Sequence, residues 1–153
     1  MRMFLLAIIA WTAAAPALAN PVSLSNNVFV ERVSTDAQGN RKVVLEEPRL
    51  VTPGDRLLFV LNYRNASSKP AEKFVVTNPM PSAVQFTDQD GGTAQVSVDG
   101  GKNWGDLARL RVRDADGTER TARNDDVTHI RWAFNAPIPA GAAGKLMFRG
   151  VVK

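Results

Sequence analysis

The sequence predicts an all-β fold, a two-sheet sandwich or barrel of about seven to nine antiparallel strands in one domain. Three observations carry this. Alternation of apolar and polar residues with a period of two recurs from residue 28 to residue 152. Gly, Pro, Asn and Asp interrupt it at intervals of about a dozen residues. No segment after residue 19 shows the 3.6-residue period of an amphipathic helix.

The chain begins differently. Arg2 supplies one early positive charge, and an apolar run follows from Met3 through Trp11 to Ala15. Pro16 breaks the run, and Ala17-Leu18-Ala19 gives the small-x-small pattern read by signal peptidase. Residues 1–19 therefore read as a signal peptide cut before Asn20. The competing reading, a membrane anchor, needs about 20 apolar residues, and this run is shorter. The expectation is export to the periplasm or beyond, with residues 20–153 as a single domain and no membrane span after cleavage.

The strands follow in order. Residues 28–35 form the first, and a turn at 36–40 containing Gly39 returns the chain into 41–45. In Pro53-Gly54-Asp55, proline presets its own φ and glycine accepts the positive φ that a type II turn needs next. That turn opens the longest strand. Leu57, Phe59, Leu61 and Tyr63 take one face, and Leu58 and Val60 on the other mark a strand covered on both sides, hence a central one. Residues 74–77 make a short strand stopped by Pro79-Met80-Pro81, because proline cannot donate to a ladder. Residues 84–87, 94–98, 107–113, 118–122 and 127–134 follow. A turn at 137–141 leads into the last strand, 145–152.

One hairpin can be read in register. A two-residue loop at Asp116-Gly117 would set Arg113 against Arg120 and Asp114 against Glu119, and like charges directly opposite are unfavourable. A three-residue loop, with Gly117 left-handed as a G1 bulge, sets Arg113 against Glu119 instead. The second register is expected. The predicted core comprises Leu57, Phe59, Leu61, Tyr63, Val75, Val84, Phe86, Val96, Ile130, Trp132, Phe134, Leu146 and Phe148.

Composition narrows the function classes. Of 153 residues 44% are hydrophobic, which suits a real core. The net charge of +4 falls to +3 without Arg2, too small an excess to imply nucleic acid but enough for loose attraction to anionic envelope polymers. The absence of cysteine removes disulfides, thiol catalysis and Cys-ligated metal together.

The stretch Val51-Thr52-Pro53-Gly54-Asp55-Arg56-Leu57-Leu58-Phe59-Val60-Leu61-Asn62-Tyr63-Arg64-Asn65 resembles the conserved-repeat domain, domain of unknown function eleven, of bacterial and archaeal envelope and surface proteins. That family continues to an Ala, a short strand and a Leu-Pro or Met-Pro pair. Here these are Ala71, Val75-Val76-Thr77-Asn78 and Met80-Pro81, followed by Val84 and Phe86. Pro139-Ala140-Gly141 and the strand 146–148 fit its last turn and strand, so the resemblance spans about residues 51–152. It implies an immunoglobulin-like sandwich and transfers no catalytic residue. Asn78 stands where the family usually has Asp, and the domain occurs once rather than in tandem.

Four motifs carry possible chemistry. Ser97-x-Asp99-x-Gly101-x-x-Trp104 fits the Asp-box hairpin of sialidase-type propellers; with a single copy, a structural turn is the preferred reading over a glycan site. Asp88-x-Asp90-Gly91 and Asp114-x-Asp116-Gly117 resemble fragments of calcium loops but lack the acidic ligand that closes one. His129, the single histidine, should share a strand face with Arg131, opposite Ile130, Trp132 and Phe134, and reads as a surface or capping residue rather than a general base.

The fourth motif is Arg109, Arg111 and Arg113, which alternate with Ala108, Leu110 and Val112. On one strand face they would present three guanidinium groups to carboxylates or phosphates. A solvated face is the plainer reading, yet this is the best-defined functional surface the sequence offers. The expected function is a non-enzymatic module acting by protein or envelope-polymer contact, with no cofactor. The alternative is a small-ligand or glycan-binding module, calcium-assisted or not.

Overall fold

The computed structural model describes residues 22–90 and 94–153. The expected signal peptide and its cut before Asn20 lie outside the described residues. Ten strands are present among these: β1 (Val22–Thr35), β2 (Arg41–Glu46), β3 (Arg56–Asn65), β4 (Val75–Pro79), β5 (Val84–Asp90), β6 (Ala94–Ser97), β7 (Arg111–Arg113), β8 (Glu119–Thr121), β9 (His129–Ala133) and β10 (Ala143–Val152). Eight form two antiparallel sheets, in the orders β2-β1-β3-β10-β5 and β4-β9-β6, and β7 and β8 make a separate ribbon. No described helix is long and apolar enough to cross a membrane.

β3 sits at the centre of the larger sheet, as its doubly apolar sequence requires. Leu57, Phe59 and Leu61 face the smaller sheet while Leu58 and Val60 are buried on the other side. The PGD turn sets its start: Gly54 has φ 92°, and Asp55 N–H donates to Thr52 C=O at 3.0 Å. The Asp55 carboxylate is taken up by the Arg32 guanidinium and by the Thr52 N–H.

Between the sheets the core is aromatic and β-branched. Phe59 and Phe148, directly opposite each other on β3 and β10, stack with centroids 4.4 Å apart. Trp132 of β9 meets Phe148 from the other sheet at 6.1 Å. Val76, Val84, Phe86, Val96 and Ile130 fill the space around them, all buried. Tyr63, Phe134 and Leu146 are partly buried at its margin, where Tyr63 and Phe134 meet edge to face.

Two expectations need correction. Val75 is 49% exposed, and its neighbour Val76, 2% exposed, enters the core. Val76 pairs with Trp132 in the β4–β9 ladder, which puts it on the core face and turns Val75 out. The expected strand 107–113 is instead a 3-10 turn, Leu107–Arg109, followed by the three-residue β7. Leu107 and Leu110 both pack against the core. Three residues apart, they would point to opposite faces of a strand, whereas a 3-10 turn aligns positions i and i+3.

Candidate contact surface

The segment carrying the arginines leaves the smaller sheet and comes back to it. Gly105 and Val96 exchange backbone hydrogen bonds at 3.0 and 3.1 Å where it departs, and Thr128 N–H donates to Ser97 C=O at 2.8 Å where it returns. Between these points runs the β7–β8 ribbon. Its register pairs Arg113 with Glu119, Val112 with Arg120 and Arg111 with Thr121, as charge alternation anticipates. Gly117 has φ 87°, and the Asp114 C=O accepts its N–H at 2.9 Å, closing the type I turn and bulge.

This architecture divides the three arginines. Arg111 and Arg113 lie two apart on β7 and share one exposed face of the ribbon. Arg111 donates to the Thr121 hydroxyl, and Arg113 lies 3.9 Å from Glu119. Arg109, 84% exposed, belongs to the preceding 3-10 turn and meets Asp106 at 3.5 Å. The predicted stripe of three on one strand face is therefore a pair with a neighbour off the strand.

Beneath the ribbon lies the side chain of Arg120, which is not one of the three stripe arginines. Its Nη1 and Nη2 donate to both oxygens of Asp126 at 2.7 and 2.9 Å, and its Nε lies 3.0 Å from Asp114 Oδ2. The bidentate bond to Asp126, then that to Asp114, push the Arg120 pKa above its ordinary value. The same bond holds the Asp126 carboxyl below the usual carboxylate range. The Asp126 carboxylate also accepts Arg123 N–H at 2.7 Å, so the clamp fixes the 3-10 turn Asn124–Asp126 against the ribbon. Its signal in sequence was the hairpin register itself, which puts Arg120 opposite Val112 on the face away from Arg111 and Arg113.

No family model, curated protein or solved structure matches this chain.

The other motifs resolve into turns. Asp99 Oδ1 accepts the N–H groups of Lys102 and Asn103 at 3.0 and 2.9 Å and the Ser97 hydroxyl at 2.8 Å. The Asn103 bonds first, then Ser97, hold its pKa far below the ordinary range. Trp104 Nε1 donates to Gly101 C=O at 2.9 Å, and the Arg131 guanidinium lies over the indole, 4.5 Å from the centroid. A Cβ on Gly101 would come within 3.4 Å of that ring. The indole is thus engaged by its own hairpin and by Arg131, which leaves it poorly placed to stack on a sugar.

Asp114 faces Arg120, and Asp116 accepts Thr118 N–H at 2.9 Å. Asp88 accepts the N–H of Gln89, and the Asp90 side chain and Gly91 lie outside the described residues. Among the described residues no three metal-ligating side chains cluster. His129 shares the outer face of β9 with Arg131; its Nδ1 is 3.1 Å from the Thr128 hydroxyl, and its ring meets Trp104 edge to face.

Proposed function

We propose that this protein is an exported, non-enzymatic β-sandwich module that works by contact, binding a protein or an anionic envelope polymer through the β7–β8 ribbon. The observation that carries the reading is the rigid presentation of Arg111 and Arg113. They stand about 6–7 Å apart on a face open to solvent, from the ~3.3 Å rise per residue of a strand, and the Arg120 clamp holds the ribbon from behind. Their own partners are exposed and exchangeable, and such pairs contribute only about 0–1 kcal/mol. An acidic partner can displace them at little cost. The resemblance of residues 51–152 to an envelope and surface domain points the same way. So does the state of the titratable groups, since Asp99, Asp114, Asp116 and Asp126 are each taken up by turn N–H groups or Arg120.

The test is elution from a sulfated-polysaccharide resin in rising salt, with capture from the envelope fraction alongside. Replacing Arg111 and Arg113 with Gln should move elution to clearly lower salt and lose the captured partners, because the contact is screened as the Debye length shrinks. Arg109→Gln alone should change little. A double variant that elutes with the parent and keeps every partner would sink the reading.

A further inference from the structure

Strand β2 ends the larger sheet, and among the described residues nothing pairs with its outer edge. The hairpin turn fixes which backbone groups point there. Asp36 N–H donates to Asn40 C=O at 2.9 Å and Gly39 N–H to Asp36 C=O at 3.0 Å, so Asp36 and Asn40 close the ladder as a bonded pair. From there antiparallel pairs alternate between bonded and non-bonded. Lys42, Val44 and Glu46 therefore turn their N–H and C=O groups to β1, opposite Ser34, Arg32 and Val30. Arg41, Val43 and Leu45 turn theirs to the open edge. The side chains there are apolar and uncovered: Val43 is 62% exposed, Leu45 47%, and Val33, opposite Val43, 56%.

An open edge of this kind invites another strand, and proteins usually guard it with charge, lysine above all. The charges on this strand have a different order. In Arg41-Lys42-Val43-Val44-Leu45-Glu46-Glu47 the bases lead, the acids trail and three apolar residues lie between. The segment is complementary to itself when reversed. We propose that a second copy of this chain pairs with β2, antiparallel, about a two-fold axis through Val44. Val43 of each copy then lies opposite Leu45 of the other, and these pairs supply the backbone hydrogen bonds, since theirs are the groups that face outward. Lys42 meets Glu46, opposite charges directly across the ladder, and Arg41 meets Glu47, the residue just past the end of β2. Two five-stranded sheets become one continuous sheet.

The neighbouring registers are worse. A shift one way sets Lys42 against Val44 and leaves Glu46 without a base. The other way sets Val44 against Glu46 and Arg41 against Arg49, like charges in opposition, and leaves Lys42 without an acid. The pairing does not involve the arginine ribbon and stands apart from its proposed role.

The absence of cysteine makes the test clean. Residues on the two-fold form a non-bonded pair with Cα atoms about 4.5 Å apart, within the range a disulfide spans. Val44→Cys should therefore oxidise to a covalent dimer about tenfold faster than Val43→Cys, whose copies lie diagonally across the ladder. Charge reversal gives an independent arm. Lys42→Glu and Glu46→Lys each set like charges in opposition, and each should sediment as a monomer at concentrations where the parent associates. An equimolar mixture of the two should recover the dimer, because every pair in the mixed complex is again of opposite sign. A parent that stays monomeric into the millimolar range, with Val44→Cys cross-linking no faster than Val43→Cys, would overturn the proposal and leave the edge to a strand of another protein. Recovery failing in the mixture would overturn the register.

Discussion

Asn65 shows how much of this fold one buried polar residue can organise. It ends the central strand with no exposed surface. Its Nδ2 donates to Lys69 C=O at 2.8 Å and Ile138 C=O at 2.9 Å, and its Oδ1 accepts the Ser67 hydroxyl at 2.8 Å. One amide thus joins the loop after β3 to the loop before β10, using donors and acceptors at once. Asn65→Ala should cost about 2–3 kcal/mol, the loss of buried bonds plus their unpaired partners. Asn65→Asp, though the same shape, should cost at least as much, since a carboxylate cannot donate and would face two carbonyls. Urea melts of both variants check this; an Asp variant as stable as the parent would show that the donors are unimportant. In the sequence Asn65 stood out only as the residue that closes the stretch resembling the conserved-repeat domain; its burial and its partners were not legible there. A similar blindness explains Val75: in Phe74-Val75-Val76 three apolar residues run together, so alternation alone gives no face. Phe74 and Val76 are the buried pair.

At the scale of elements, the strands and turns were legible wherever one local rule governed them. The PGD turn, the central place of β3 and the Arg113–Glu119 register followed from turn chemistry, two-sided apolarity and charge opposition. What was illegible depended on partners distant in sequence. The Leu107–Arg109 turn exists because two leucines reach the core, and the division of the arginine stripe follows from that turn. Gly150 is a further case. It is a strand residue whose φ lies outside the left-handed region, so conformation does not demand glycine; space does. The β10–β5 register slips between Arg149 and Gly150, and there a Cβ would stand 2.4 Å from Val84 Cγ1 and 2.8 Å from the Gln85 carbonyl oxygen. The second neighbour is backbone and cannot swing away. Gly150→Ala should therefore destabilise by about 1–3 kcal/mol, the usual range for overpacking. Gly144→Ala, where the obstacle is the Tyr63 ring, should cost less because a side chain can yield. Equal losses in paired urea melts would contradict this distinction.

For the molecule as a whole, the carboxylates set the pH range over which the sandwich holds. The chain has no disulfide to fall back on. Its turns lean on ionised aspartates: Asp36 against Asn40, Asp55 against Arg32 and Thr52, Asp99 against Asn103, Asp116 against Thr118 and Asp126 against Arg120. In each the folded pKa lies below the unfolded value of about 3.9. The unfolded chain therefore binds protons first as pH falls, and stability falls with it. The contribution of these groups is complete above about pH 5 and is lost progressively as pH drops through the folded pKa values. The urea midpoint should be flat from neutral pH to about 5 and decline steeply below about 4. Asp99 lies furthest below the ordinary carboxylate range, held there by the Asn103 bonds and then by Ser97, so its removal should be visible in the shape of that curve. Asp99→Asn should lower the midpoint at pH 7, where the charge-assisted bonds to Lys102 and Asn103 are lost. It should also shrink the drop between pH 5 and pH 2, because one of the groups that protonates is gone. An acid limb as deep in the variant as in the parent would mean that the Asp99 turn does not contribute to the folding equilibrium, and that the acid sensitivity resides in the Arg32–Asp55 and Arg120–Asp126 pairs.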